Sequence, residues 1–385
     1  MNDLVLKNKT LFKIDKRIDD LVKKIELLNY VNPINIEEEK IKFFNSKYSK
    51  DPSFLYPTRD FDKFNLHKEF FALPIHEIED DRLRDFYEEI IYFYSGLIQC
   101  IETIGKGKRF YFNSLHSFGT PTEKDVKNAK FILHFESENK RREMFRLKYS
   151  AEDSKAFFKA YSERYDFTYE IKTSDKMGAI AMVSNSAKAL VLNSTHTFSE
   201  NQLHILTNHE IGVHMVTSMN GVLHPLQVFS HGFPNNEETQ EGLAVFSEYM
   251  SGNLTVRRLK ELAYRVLAVD SLAKGYTFSK TFRMLYNDYE LNKNEAFHIA
   301  VRAHRGGGLT KDHLYLTGLQ KIYNRYKTGK DLHLLLTGKV SLEHYDNIKY
   351  MIDKGYALQP RHITDSLAQN KNTNKTVDFI LENLK

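Results

Sequence analysis

The chain has 385 residues, 41% of them hydrophobic and 27% charged, enough apolar material for one large or two closely packed domains of a soluble globular protein. Its 55 lysines and arginines face 50 acids, and a formal net charge of +5 dispersed along the chain excludes nucleic acid as the expected partner. A single cysteine allows no internal disulfide, and no apolar run has the length of a signal peptide or a membrane span, so a cytoplasmic protein with no membrane partner is expected.

From the N-terminus, Ile14, Ile18, Leu21, Ile25 and Leu28 recur at helical spacing and predict one amphipathic helix that Pro33 ends. A stronger helix is expected from Asp80 to Ile104, its apolar side carrying Leu83, Phe86, Tyr87, Ile90, Tyr94, Leu97 and Ile101. The fragment FYFNSLHSFGTP reads as a loop, with Thr120-Pro121 and Glu123 capping the helix that follows. Asn113 and His116 in that loop are candidates to approach a site, although ordinary loop hydrogen bonding is the plainer role. A helix near Glu152 to Arg164 then gives way to the runs FTYEIKT, GAIAMVS and KALVLNS, whose β-branched and apolar residues between turn formers predict a small sheet.

Candidate chemistry gathers in the next stretch, Phe198 to Met219. Ser199 with Gln202 forms a capping box, Leu203, Leu206, Ile211 and Met215 recur at helical spacing, and Asn220-Gly221 is a stop signal. His209, Glu210 and His214 therefore lie on one helix. Five residues apart, the two histidines diverge by about 140° on a regular α-helix, too far for one tetrahedral ion roughly 2.0 to 2.1 Å from each nitrogen. A π-bulge, with its wider turns, would realign them, and Gly212 between them eases the backbone distortion.

Two histidines alone fit a polar helix face or satisfied core positions as well as they fit a metal. A third group shifts the balance. Glu237-Glu238-Thr239-Gln240-Glu241-Gly242-Leu243-Ala244 belongs to a second helix opened by Asn235 or Asn236, and the long loop before it lets a carboxylate reach back to the first. Two imidazoles and one carboxylate, with the fourth position left to water, is the pattern of a catalytic zinc, whereas structural zinc sites are usually closed with cysteines.

These motifs carry a resemblance. HEIGVH followed by TQEGLAVFSEY resembles the QEGLA-motif metallohydrolase family, some of whose bacterial members are labelled flavohemoglobin expression-modulating proteins. The chain is also similar to the eukaryotic microtubule-associated tyrosine carboxypeptidases, zinc enzymes that remove the terminal tyrosine of tubulin. Position by position, the resemblance implies that His209, His214 and Glu241 hold Zn2+ and that Glu210 is the catalytic base. Gln240 stands where the eukaryotic motif has a glutamate, which places this chain nearer the bacterial branch. The likeness runs from about Phe110 through the segment TKDHLYLTGL to the end.

Beyond that helix, TVRRLKELAYRVLAVDSLAKG and TFSKTFRMLYNDY read as core helices. In the segment that follows, Asn294 caps one helix, Gly306, Gly307 and Gly308 break it, and Thr310 caps another. Arg302, His304, Arg305 and Lys311 are candidates for a substrate carboxylate, and Tyr315 for donation to an oxyanion; a solvated basic turn is the plainer reading. By analogy with gluzincin-type peptidases, whose edge strand lines the cleft, Ala189 to Asn193 would add an extended substrate as a strand, an interior strand being the alternative.

The expected fold is α+β, predominantly helical and zincin-like, with a small sheet preceding the metal-binding helix. An N-terminal helical region, residues 1–115, is expected to pack on a catalytic domain of residues 116–385. The expected function is zinc-dependent hydrolysis of a peptide or amide, with a peptide or protein C-terminal segment as substrate if the resemblance extends to carboxypeptidase action. The alternative is a non-catalytic metal-binding regulatory or interaction protein. Glu210 argues against it, because a structural metal has no use for a neighbouring general base.

Overall fold

Helices and small sheets build the chain in a computed structural model that describes residues 2–23, 25–59, 62–138, 143–175, 177, 179–184 and 188–385. Helix α1, Lys9–Val22, buries Leu11, Ile14, Ile18 and Leu21 as the periodicity requires. It stops earlier than predicted. A separate short helix, Leu27–Val31, follows, and the change of direction lets Ile25 and Val31 reach the core while Leu28 stays exposed.

Helix α2, Asp81–Thr103, begins on Asp80, whose carboxylate accepts from the Leu83 amide, and buries the predicted apolar side. The fragment read as a loop is instead helix α3, Lys108–Phe118. Gly107 and Gly119 flank it in positive-φ conformations that explain the broken appearance of the sequence, while Phe110, Ser114 and Phe118 form its buried face. The boundary drawn at 115/116 therefore runs through a helix. The next helix, Glu123–Leu133, is capped by Thr122 in a reciprocal pair with Asp125, just past the Thr120-Pro121 signal.

The strands among the described residues are short. β1, Leu147–Tyr149, pairs antiparallel with β5, Phe198–Ser199. β2 (Glu170–Ser174), β3 (Ala181–Ser184) and β4 (Ala189–Asn193) form a sheet in the order β2-β4-β3, with β4 parallel to β2 and antiparallel to β3. Gly178 of the predicted second run lies outside the described residues. The strand Ala189–Asn193 is hydrogen-bonded on both sides, so it offers no edge to a substrate and the strand-addition reading at that position is corrected. The edge nearer the candidate site belongs to β3.

The sheet leads into Glu200–Leu206, capped by Ser199 and Gln202 as predicted, and on through a π-helical segment, Thr207–Met215, to Val216–Gly221. Helix α4, Asn236–Met250, lies against the π segment on one side and against helix α6, Leu314–Lys327, on the other. Helix α5, Val256–Ala273, packs chiefly on the helices Glu123–Leu133 and Lys293–His304 and also touches α6. α4 and α6 cross at Gly242 and Gly318, where a Cβ on Gly242 would stand 2.4 Å from the Gly318 carbonyl carbon. Only glycine permits that approach. One buried apolar cluster reaches from Leu11 to Leu384, so the N-terminal helices share the core of the rest. No helix among the described residues is long and apolar enough to cross a membrane.

Candidate functional site

The π segment solves the spacing problem set by the sequence. His209 and His214 come together with ring centres 5.0 Å apart, and the nearest ligand atoms of His209, His214 and Glu241 all lie within 4.8 Å of one another. Side chains from other elements donate to backbone carbonyls of the wide turn. Ser247 of α4 donates to the Asn208 carbonyl at 3.1 Å, Thr364 to Gly212 at 2.6 Å, and Lys339 Nζ to His214 at 3.0 Å. Gly212 matters less than expected, since a Cβ there would make only ordinary contacts of 3.5 Å or more. The distortion is held by tertiary donors.

The His209 ring is fixed from behind. Its Nδ1 lies 2.8 Å from Oε1 of Glu248, a fully buried carboxylate that also receives Arg258 Nε at 3.1 Å. In the neutral ring, an Nδ1–H donated to Glu248 leaves the Nε2 lone pair facing the site. Burial alone would lower the His209 pKa, but Glu241 and Glu248 outweigh it and raise it to about 9. Burial lowers that of His214 to about 4. Glu248 was missed from sequence, although it lies seven residues after Glu241, two turns along the same helix face.

Glu241 divides its carboxylate between two tasks. Oε1 receives Lys311 Nζ at 2.9 Å. Oε2 is buried, accepts no hydrogen bond, and stands 3.6 Å from His209 Nε2 and 3.7 Å from His214 Nε2. Those separations are too long for hydrogen bonds, yet close to the roughly 3.3 to 3.4 Å between ligands of a tetrahedral ion with bonds of about 2.0 to 2.1 Å. Two nitrogens and one unsatisfied carboxylate oxygen thus fit a zinc-sized cation with small adjustments. Burial raises the Glu241 pKa and Lys311 lowers it, the net being an acid held well below its ordinary range.

Glu210 is also buried, and burial raises its pKa to about 7 against the opposing pull of His209. The backbone N–H of Val183 on the β3 edge bonds to it. A carboxyl group poised near neutrality beside the three convergent atoms has the properties of a general base. Lys339, far away in sequence and not singled out there, adds a buried cation whose pKa burial lowers to about 8. It also donates to Thr217 Oγ1 at 3.2 Å, which in turn donates to Gln240 Oε1 at 2.9 Å.

The basic segment is built differently from the sequence reading. Arg302 forms a two-pronged pair with Asp312, and Arg305 lies 3.9 Å from the same carboxylate while bonding Asn32. Both arginines thus brace the turn that carries Lys311, and Lys311 is spent on Glu241. His304 lies away from them with Nε2 2.8 Å from Thr281 Oγ1, and burial lowers its pKa to about 4, so it is no cation for a carboxylate. The three glycines form a stapled turn, with the Gly306 amide on the Tyr56 hydroxyl and its carbonyl on the Gly105 amide. Tyr315 does reach the site, its ring stacked near His209 at 6.4 Å and under Arg265 at 4.9 Å. Asn113 instead bonds Gln99 and Thr103, and His116 lines a separate cavity of about 450 Å3 with Glu237, His313 and Thr317.

Comparison with known proteins adds an independent observation. Residues 41–385 match the family described as microtubule-associated tyrosine carboxypeptidase. MATCAP2 of Mus musculus, named as a candidate tyrosine carboxypeptidase, is 26% identical over 353 residues, covering 87% of this chain and 58% of that protein. The Homo sapiens protein of the same name is 30% identical over 191 residues, 46% of this chain and 35% of its own. Microtubule-associated tyrosine carboxypeptidase 1 of Homo sapiens is 29% identical over 186 residues, covering 44% and 38%. The chain thus matches little more than half of the mouse relative's length, and less of the human ones.

Proposed function

The chain belongs to the family of microtubule-associated tyrosine carboxypeptidases, and from that membership we propose that it is a zinc-dependent peptide hydrolase that removes the C-terminal residue of a peptide or protein. The observation that carries the metal part is the convergence of His209 Nε2, His214 Nε2 and the unsatisfied Glu241 Oε2. When bound, Zn2+ supplies a Lewis acid that polarises the scissile carbonyl and acidifies water. Glu210, ionised above about pH 7 in the metal-free chain, takes a proton from the attacking water and returns it to the leaving nitrogen. The Val183 N–H holds that carboxylate in orientation. Tyr315 donates its hydroxyl proton to the oxygen where negative charge develops.

The carboxypeptidase part rests on the family and on the cations around Tyr315. Arg302, bound to Asp312 yet 29% exposed at its side chain, would have to share its guanidinium to meet a terminal carboxylate, so the test of that role is the free-acid preference itself. The names of the relatives make a C-terminal tyrosine the first side chain to test.

Elemental analysis and turnover of short peptides test the reading together. His209→Ala and Glu241→Ala are expected to lose zinc, and Glu210→Gln to keep zinc and lose hydrolysis. A Glu210→Gln protein as metal-free as His209→Ala would reverse the assigned roles. Equal cleavage of free-acid and C-terminally amidated peptides would exclude the carboxypeptidase form. Zinc bound without hydrolysis of any free-acid peptide in a broad library would favour the non-catalytic metal protein.

A further inference from the structure

The lysine of the basic turn is aimed at a ligand rather than at solvent. Lys311 is 7% exposed and places Nζ 2.9 Å from Glu241 Oε1, while the other oxygen of the same carboxylate faces the two histidines. The surrounding structure leaves it little choice of position. Thr310, just before it, donates Oγ1 to the Ser114 carbonyl at 3.0 Å and its amide N–H to Ser114 Oγ at 2.9 Å. Asp312, just after it, is gripped by Arg302 and Arg305. The ring of Tyr315 closes the third side, its centre 5.6 Å from Nζ.

From this geometry we infer that Lys311 is a positioning residue that holds Glu241 to a single metal-facing oxygen, keeping the fourth coordination position open. The inference rests on the zinc reading above. A carboxylate free at both oxygens can chelate an ion with both, and the second oxygen then takes the place that water or a substrate carbonyl needs. An ammonium on Oε1 prevents this by a charge-assisted bond and draws electron density from the ligand, which leaves the ion a stronger Lewis acid. Arg302 and Arg305 act at one remove, by holding Asp312 and through it the turn. The same role explains why a buried cation lies beside a site that attracts another cation. Paired with Glu241 it costs less than an isolated buried charge, and it serves the geometry.

Cobalt substitution reads the coordination directly. Wild-type protein loaded with Co2+ is expected to show the intense visible absorption of a four-coordinate ion. In Lys311→Met, Glu241 takes the ion with both oxygens, and the absorption falls several-fold to that of a five-coordinate ion; Lys311→Arg, which keeps the donor and the charge, stays near wild type. Chelator competition adds a second readout. The Met variant is expected to hold Zn2+ at least as tightly as wild type while peptide turnover falls about 10- to 100-fold. A merely structural loss would lower both together. An unchanged cobalt spectrum in Lys311→Met, or zinc affinity falling in step with activity, overturns the inference. Should Lys311→Met fail to fold, Asp312→Asn loosens the same turn and is expected to shift the spectrum in the same direction; no shift there also overturns it. Wild-type protein that takes up neither ion sinks the zinc reading itself, a result distinct from a four-coordinate wild type with an indifferent Lys311.

Discussion

Replacing Gly242 by alanine sets two ordinary effects against each other, and the structure decides which wins. In the interior of a helix such as α4, alanine is favoured over glycine by about 0.8 to 1.0 kcal/mol. The new Cβ, however, would sit 2.4 Å from the Gly318 carbonyl carbon, 2.6 Å from its oxygen and 2.7 Å from its Cα. Those atoms are backbone and cannot swing aside. Restoring ordinary carbon contacts near 3.5 Å requires α4 and α6 to part by about 1 Å. Overpacking of this kind costs typically about 1 to 3 kcal/mol, and a backbone obstacle puts the cost at the upper end, so a net loss of about 2 kcal/mol is expected. For a chain of this size that is roughly 2 to 3 °C in Tm. The same displacement shifts Glu241 relative to Lys311 and the histidines, so zinc content should fall along with stability. Gly96→Ala in α2 is the control, because its Cβ would meet nothing closer than Ser117 Oγ at 3.4 Å. That variant should be about 1 kcal/mol more stable than wild type or nearly so. Paired thermal melts and metal analysis check both. If Gly242→Ala melts at or above the wild-type temperature with full zinc, the crossing does not constrain the site.

Glu248→Gln should weaken zinc binding about 10- to 100-fold in chelator competition, because His209 loses the buried charge that orients it; an unaltered affinity would mean that Arg258 alone defines the role of Glu248. His224 carries a pH signature. Burial lowers its pKa to about 4, Thr337 O opposing, so it is neutral when folded and takes up a proton on unfolding below about pH 6.5. Its contribution is complete above that pH and is lost as pH falls towards 4, at most about 3 kcal/mol. Denaturant titrations of wild type and His224→Gln at pH 7 and pH 4.5 should therefore show the gap between them narrowing at the lower pH, and parallel loss in the two proteins would contradict this.

Local signals read well from sequence where one element decided the outcome. The capping box at Ser199 and Gln202, the apolar side of α2, and the three strand runs needed only nearest-neighbour chemistry. The five-residue gap between His209 and His214 was legible for a different reason, since any use of both rings on one ion demanded a wider turn than an α-helix gives. What the sequence did not carry is what holds that turn. Lys339 and Thr364 donate to its carbonyls from positions more than a hundred residues away, and nothing local marks either of them. Helix α3 was lost because glycines at both ends and Asn113 within looked like loop chemistry, although Phe110, Ser114 and Phe118 already stood at i, i+4 and i+8. The basic segment misled in another way. Counting cations between 302 and 311 pointed to a substrate, but Asp312 stood among them, and its pairing with Arg302 and Arg305 became clear only once the turn was folded.

The unsatisfied oxygen at the centre of the site links function to stability. Glu241 Oε2 is buried without a hydrogen bond, and the buried carboxylate of Glu210 lies near it. A buried acceptor left unpaired costs about 1 to 3 kcal/mol, so on the proposed zinc reading an ion at that oxygen would remove a local cost that Lys311 only partly offsets. Zinc at a hundred times its dissociation constant would add about 2.7 kcal/mol by linkage. Chelation should therefore lower the unfolding midpoint of the wild type, whereas Glu241→Ala, which has neither the orphaned oxygen nor the third ligand, should respond little to chelator or zinc. Lys311 tempers the penalty by neutralising one end of the carboxylate, but the ammonium does not reach the oxygen that faces the histidines. Calorimetry with and without chelator separates these contributions. A wild-type midpoint that does not move with zinc would mean that the three converging atoms are a packing arrangement with no ion to complete it.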